Sequence, residues 1–343
     1  MKRFEWLDAR TVAEASDAGS VTVAKAMRDR GAGPATEAVI LKAGGVDLLD
    51  LMKEELLVPR RVVNMRTLPE LAHVREEADG SVRIGAMVTL AQLGEHTALQ
   101  TRYVALAQAA ANSASPQIRN MATVGGNLLQ RPRCWYFRSL HHRCARKGGD
   151  ACFAFAGENE YHAIFRHSGC AMVHPSTLAT ALVALDAHVE LVGARSAKRT
   201  VLLEDFFVGP ERDIERENDL RPGEVLTAVL LPKLGVGARS AHIRQAELES
   251  FDWPIADVAA VLHLSADGTC RRASVVLGAA APVPYRAAEA ERMLSGQRVD
   301  EDVARSAAHA ALEGAEPLSR NAYKLPIFET LVRRAILYAM TGA

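Results

Sequence analysis

The chain predicts an α+β architecture of two or three units, and three observations lead there. Short apolar strands in the first half run into Gly-Gly turns. The last third reads as antiparallel strands followed by three helices. A 343-residue chain that is 49% apolar also has material for more than one core. Charged residues make up 24% of it and sum to zero net charge, the balance of an ordinary folded protein. No run approaches the ~20 apolar residues that cross a bilayer. The opening MKRFEWLDARTVAEA carries no apolar stretch behind its basic residues. A soluble protein is expected, cytoplasmic by the absence of a signal.

Taken in order, Thr11 to Arg30 reads as one helix with Thr11 and Glu14 as a capping box, broken by Gly31 to Pro34. Ala38 to Leu41 is a short buried strand. Lys42-Ala-Gly-Gly-Val-Asp-Leu48 follows and leads into helix up to Leu56. Gly44 and Gly45 permit positive φ and let backbone N–H groups approach an anion. The pair matches neither GxGxxG nor GxxxxGK[ST], and a Gly-Gly pair alone is usually just a tight turn. Arg61 to Met65 is a strand, Val74 to Ile84 a hairpin turning at Asp79-Gly80, and Thr89 with Gln92 opens a short capped helix before the helix Ala105 to Ala114. Ala122-Thr-Val-Gly-Gly-Asn127 then repeats the order apolar, Gly-Gly, polar. Two such turns beside short strands suggest two backbone nests on one extended ligand, for which a dinucleotide pyrophosphate is the candidate.

From Arg131 to Pro175 no helical or strand period holds. So long a loop inside a compact domain needs something other than a core to order it, and a metal centre would do so. Four of the five cysteines, Cys134, Cys144, Cys152 and Cys170, lie here, separated by nine, seven and seventeen residues. An odd cysteine count without an export signal argues against structural disulfides and for metal. No C-x-x-C pair is present, which disfavours a zinc ribbon, and bacterial ferredoxin spacing is absent too. Four thiolates could still hold a 4Fe–4S cluster. His141, His142, His162 and His167 keep a Cys–His zinc site as the rival, and Cys270, in an apolar strand, reads as a buried thiol. No acidic residue falls between Glu95 and Asp150, while Arg102, Arg119, Arg131, Arg133, Arg138, Arg143, Arg146 and Lys147 all do. That positive zone suits a polyanion, a thiolate-bound metal, or both.

Leu178 to Leu185 reads as helix and Ala187 to Val192 as strand. Glu211 to Asp219 is a charged run expected to be a solvated surface loop. Glu224 to Leu231 is a strand ended by Pro232, after which a boundary is expected. Strands at Ala241–Glu247, Ala256–Leu264 and Cys270–Leu277, then helices at Arg286–Leu294, Val303–Leu312 and Pro326–Met340, complete the C-terminal unit.

Leu41 to Leu48, Ile118 to Asn127, Arg131-Pro-Arg-Cys-Trp-Tyr-Phe137, His174-Pro-Ser176 and Arg333-Arg-Ala-Ile336 together resemble the FAD-binding medium subunit of the molybdenum hydroxylases, the xanthine dehydrogenase family. The resemblance spans essentially the whole chain. The cysteine-bearing insertion is similar to that of the flavin subunit of periplasmic aldehyde oxidoreductase, which carries a 4Fe–4S cluster. The resemblance implies the two-subdomain FAD-binding fold of the vanillyl-alcohol-oxidase type: an N-terminal subdomain 1–58, a middle subdomain 59–232 with an iron–sulfur insertion at 131–175, and a C-terminal α+β domain 233–343.

It further implies FAD held by Leu41, Lys42, Ala43, Gly44, Gly45, Val46, Asp47 and Leu48 and by Thr123, Val124, Gly125, Gly126 and Asn127, with Thr177 beside the cofactor. Leu226 would lie near the isoalloxazine and Arg244 where relatives carry a lysine. Cys134, Cys144, Cys152 and Cys170 would ligate the cluster. Val46 replaces the usual threonine and Thr177 the usual aspartate, each removing one polar contact. No residue of this chain need act as an acid or base. The implied role is an electron-transfer subunit in a heterotrimer with a molybdenum-cofactor large subunit and a 2Fe–2S small subunit, acting on an aldehyde or heterocycle and serving an external acceptor. Export with a signal-bearing partner would make it periplasmic; neither nucleic acid nor membrane is an expected partner. The competing expectations are a stand-alone flavin oxidoreductase with a structural zinc and a zinc-stabilised nucleic-acid module.

Overall fold

The computed structural model describes residues 1–29, 37–248 and 251–341, so the break expected at Gly31–Pro34 lies outside the described residues. The N-terminal unit comprises β1 (Glu5–Asp8), α1 (Val12–Ala18), α2 (Val23–Asp29), β2 (Val39–Lys42), α3 (Val46–Lys53) and β3 (Arg61–Asn64), with parallel strands in the order β1-β3-β2. The single helix expected after Thr11 is two. Gly19 ends α1, the Ser20 hydroxyl accepts the Val39 N–H at 3.1 Å, and Thr22 restarts the chain by accepting the Lys25 N–H. Local polar bonds here outcompete helix continuation. The capping box is also incomplete: Thr11 accepts the Glu14 N–H, but the Glu14 carboxylate takes the Arg10 N–H at 2.7 Å. β3 is the central strand of this sheet, so the sheet extends to Asn64, beyond the boundary expected at 58.

The middle unit begins with β4 (Val74–Glu76) and β5 (Val82–Gly85), followed by α4 (Leu90–Glu95), α5 (Thr97–Arg102), α6 (Val104–Ala111), α7 (Pro116–Met121) and α8 (Val124–Leu128). After the long loop come α9 (Thr177–Ala184), β6 (His188–Val192), β7 (Lys198–Leu202), α10 (Leu203–Phe206) and β8 (Val225–Leu231). Its five strands are antiparallel in the order β4-β5-β8-β6-β7. Every residue of α9 is buried, because it packs against the strands Ala256–Leu264 and Cys270–Gly278 of the C-terminal sheet and against α6, α8 and α10.

The C-terminal unit has β9 (Ala238–Gln245), β10 (Ala256–Leu264), β11 (Cys270–Gly278) and β12 (Tyr285–Arg286), then α11 (Ala288–Leu294), α12 (Glu301–Ala310) and α13 (Lys324–Thr341). Its strands run antiparallel in the order β12-β11-β10-β9. Alternation along the central strands divides two cores. Ala259, Val261 and Val276 face the core of the middle unit, whereas Val258, Ala260, Leu262, Val275 and Leu277 face the C-terminal helices. Each fully buried valine or leucine contributes roughly 1.5–3 kcal/mol, so this sheet cannot leave either layer cheaply. Arg286 adds a polar stitch, donating to Glu204 and Asp186 of the middle unit and to Glu291 of its own.

The loop from 131 to 175 contains only two short 3-10 turns, Ala145–Lys147 and Phe153–Phe155. Cores nevertheless hold both of its ends. Phe137 and Cys144 pack with Ile40, Leu51 and Met52 of the N-terminal unit, and Ile164 and Phe165 enter the C-terminal core. Asn321 and the buried Lys324 donate to the His162 carbonyl, each at 3.1 Å. The expectation that something other than a core must order this segment is therefore corrected: cores order its ends.

Candidate functional site

The first Gly-Gly turn follows β2. Gly45 is the N-cap of α3 at φ +87, a left-handed position that favours glycine, and no side chain caps the helix. A Cβ on Gly44 would sit 2.0 Å from the Met121 carbonyl oxygen, so the two turns approach each other backbone to backbone. The second turn differs from the expected strand-flanked form. Thr123 accepts the Gly126 N–H and caps α8, so Gly125 and Gly126 lie in the first turn of a helix that follows another helix. The expected pleat is replaced by docking on residues 86–88: the Val124 N–H donates to the Val88 carbonyl and the Gly125 N–H to that of Ala86, both at 2.9 Å. A Cβ on Gly125 would meet Ala86 Cβ at 2.9 Å.

Between these turns runs a groove of about 460 Å³, well inside the size range of ligand sites. Leu41 through Leu48 line it, as do Thr123, Gly125, Gly126, Asn127, Thr177, Leu226 and Arg244. Val124 does not; it is 1% exposed and belongs to the core of the middle unit. The Ser176 hydroxyl donates to Asn127 Oδ1 at 2.5 Å and fixes that amide, while Thr177 opens α9 directly behind it. Lys42 bends back over the Trp6 ring and donates to the Ala43 carbonyl, and its burial lowers its pKa. Arg244 donates to the Asp252 carbonyl at 3.0 Å. His174 is buried; desolvation pushes its pKa down to about 3, and its Nδ1 accepts the Ser176 N–H. A neutral ring in that position orders the chain before α9.

Part of the positive zone read from the sequence is neutralised in space. Asp47 accepts from Arg138 at 2.6 Å, lies 3.0 Å from Arg133, and takes the Arg131 backbone N–H at 2.8 Å. Asp50 pairs with Arg133 and Arg138. The run Glu211–Asp219, expected to be solvated, is exposed at Glu211 and Arg212 but sends Glu217 inward. Glu217 is 4% exposed, with Oε2 3.2 Å from Arg131 Nε and Oε1 accepting from Arg146 Nη1 at 2.8 Å. Sequence reading missed Glu217 because a charged run is usually a solvated face. The available signal was the absence of acids between Glu95 and Asp150: arginines that become buried must find carboxylates elsewhere.

The four cysteines converge. Cys134, Cys144 and Cys152 all lie within electrostatic reach of Cys170. Burial pushes the Cys134 thiol up to about 12 and also raises Cys144. Interaction with the neighbouring Cys152, backed by Arg146, makes Cys170 the more acidic of the two, below the usual thiol range. Arg146 Nε donates to Cys170 Sγ at 3.4 Å, and His162 Nε2 lies 3.2 Å from Cys134 Sγ. Among the described residues no three His, Cys, Asp or Glu side chains form a cage for a single ion. Cys270 is fully buried in β11, away from this quartet.

Comparison with known proteins agrees with this geometry. The FAD binding domain in molybdopterin dehydrogenase matches residues 2–234, and the CO dehydrogenase flavoprotein C-terminal domain matches residues 241–339. The chain is 35% identical over 286 residues to the aldehyde oxidoreductase FAD-binding subunit PaoB of Escherichia coli, covering 82% of this chain and 86% of that protein. It is 28% identical to the carbon monoxide dehydrogenase medium chain of Hydrogenophaga pseudoflava, covering 86% and 87% of the two chains. A solved structure of carbon monoxide dehydrogenase from that organism superposes with a TM-score of 0.73 at 26% identity, over 99% of this chain and 98% of that one. A groove between two glycine turns, in a chain matched almost end to end, settles the family: this protein belongs to the FAD-binding subunits of the xanthine dehydrogenase and carbon monoxide dehydrogenase type, and is the flavoprotein subunit of a molybdenum-hydroxylase oxidoreductase.

Proposed function

We propose that this chain carries electrons for a molybdenum hydroxylase acting on aldehydes or heterocycles, and that Cys134, Cys144, Cys152 and Cys170 hold a 4Fe–4S cluster beside the flavin. Oxidation of an aldehyde by water to the acid releases two electrons and two protons. In this reading a molybdenum-cofactor large subunit performs that step, a 2Fe–2S small subunit relays the electrons, and this chain delivers them to an external acceptor. Bound FAD supplies exchange between one- and two-electron carriers. The residues present fit it: the uncapped first turn of α3, with Gly44 and Gly45 before it, offers backbone N–H groups to a diphosphate. Leu226 offers an apolar wall for the ring system, and Arg244 a cation beside it.

The observation that carries the iron–sulfur part is the convergence of four buried or half-buried thiols among fixed cations. A single zinc ion needs its ligands within about 2.3 Å, whereas a cuboidal cluster takes its thiolates at separate corners. Arg146 against Cys170, and Lys147 held by the Tyr136 and Ser139 carbonyls near Cys144, would offset the cluster's negative charge.

Anaerobic purification with iron, sulfide, zinc and flavin quantified per chain tests the proposal. About four irons with one flavin supports it. One flavin with one zinc replaces the cluster by the structural-zinc alternative, and flavin without metal removes the metal centre altogether. Co-purification with a molybdenum-bearing polypeptide tests the assembly.

A further inference from the structure

The guanidinium of Arg146 is 1% exposed and has a divided task. Nε donates to Cys170 Sγ at 3.4 Å, while Nη1 donates to Glu217 Oε1 at 2.8 Å and to the Arg216 carbonyl at 3.1 Å. Glu217 is in turn held from its other oxygen by Arg131, whose guanidinium lies over the Phe137 ring at 4.9 Å. A planar fork fixed on one edge by a carboxylate presents its remaining N–H in one direction only, here at a thiol of the quartet. In the cysteine loop only the buried Arg131 and Arg146 call on a carboxylate from the distant Glu211–Asp219 run. That carboxylate leaves water to meet two buried cations, and this arrangement is costly unless every charge is satisfied.

We propose that Arg146 sets the reduction potential of the centre held by the four cysteines, and that Glu217 is its positioning residue. The inference rests on the cluster reading above. Reduction of such a centre adds one negative charge to it. A hydrogen bond to a ligand sulfur, and a full positive charge at short range inside the protein, both stabilise that charge and raise the potential. Burial leaves the effect little screened by salt. Glu217 acts in the opposite electrostatic sense: it aims the fork but carries a negative charge of its own. Arg131 keeps Glu217 paired when Arg146 is removed, so removal of Arg146 does not strand a buried carboxylate.

The two residues therefore have effects of opposite sign, a signature that simple structural support lacks. The test uses the full chain purified anaerobically, with the cluster potential followed by an EPR-monitored redox titration and the flavin content measured alongside. R146M is expected to shift the potential downward. R146K, which keeps the charge but cannot reach Cys170 and Glu217 together, shifts it downward by less. E217Q shifts it upward. If R146M sheds its iron, R146K and E217Q carry the same opposite-sign comparison. Variants that leave the potential in place, or that all move it in one direction, overturn the inference while the iron of the parent protein still upholds the cluster. A parent protein without iron overturns the cluster reading and the inference with it.

Discussion

The two cofactor regions are built on different physical plans. Around the glycine turns the working groups are backbone: Gly45 in the left-handed region, Gly44 pressed against the Met121 carbonyl, and an α3 terminus without a side-chain cap. Most of its lining side chains are either apolar or engaged with each other. The cysteine region is the reverse. Regular backbone is nearly absent from 131 to 175, and side chains from three units hold the shape: Phe137 in the N-terminal core, Phe165 in the C-terminal core, and Glu217 between two buried arginines. A backbone cradle tolerates side-chain exchange but not an added Cβ, whereas a side-chain cage tolerates backbone slack but not the loss of one member. Each region should therefore fail separately.

The largest expected effect is on the cage. Cys144→Ser, at a site 6% exposed in the N-terminal core, is expected to abolish iron binding while flavin per chain stays at the parent level. Iron and flavin assays on the same preparation check it, and unchanged iron would take Cys144 out of the ligand set. The reciprocal change is Gly44→Ala. Its methyl group would collide with backbone rather than with a movable side chain, so the two turns must part. A destabilisation of about 1–3 kcal/mol is expected, with flavin affinity at least about tenfold weaker and iron retained. Loss of both cofactors from either variant would break the comparison.

A third effect concerns how the cage is anchored. Lys324 is fully buried, and desolvation pushes its pKa down to about 7 from 10.5. Its ammonium donates to the His162 and Ala279 carbonyls. Between pH 7 and 10.5 the unfolded chain binds a proton there that the folded chain does not, so stability rises with pH across that window. Below pH 7 both states hold the proton and the cost is fully present. Its size is on the order of a few kcal/mol. Lys324→Met should flatten this rise relative to the parent, as read by denaturant unfolding at pH 7 and pH 9.5. An equal slope in both proteins would mean that Lys324 contributes nothing to it.

What could be read from the sequence follows the same division. Strands and helices with a clear period, such as β10, β11 and α13, were legible, as was the first Gly-Gly turn between a buried strand and a helix. The exposed β1 was not, because EWLD has no apolar alternation and is a strand only by pairing with β3. The second glycine turn was misjudged because docking on Ala86 and Val88, remote in sequence, decides its conformation. Glu217 was unreadable for a related reason. A carboxylate in a run of charges shows no sign of burial until arginines some seventy residues away are brought against it. Spacing alone also could not say that the cysteine loop is ordered by cores at both ends.

The smallest expected effect sharpens the backbone side of the comparison. Val46 is the first residue of α3, adjoining the left-handed Gly45 and lining the groove, where the resemblance places a threonine. If the cradle works through its N–H groups, the valine costs only one hydroxyl contact. Val46→Thr adds that hydroxyl without altering the branching at Cβ, so the helix start should be preserved. A neutral hydrogen bond contributes about 0.5–1.5 kcal/mol net, corresponding to flavin affinity roughly two- to tenfold tighter, with the iron content unmoved. Titration of the apoprotein with FAD by quenching of flavin fluorescence measures it. A gain far above tenfold would show that the cradle had depended on a side chain after all, and the contrast between a backbone site and a side-chain site would narrow accordingly.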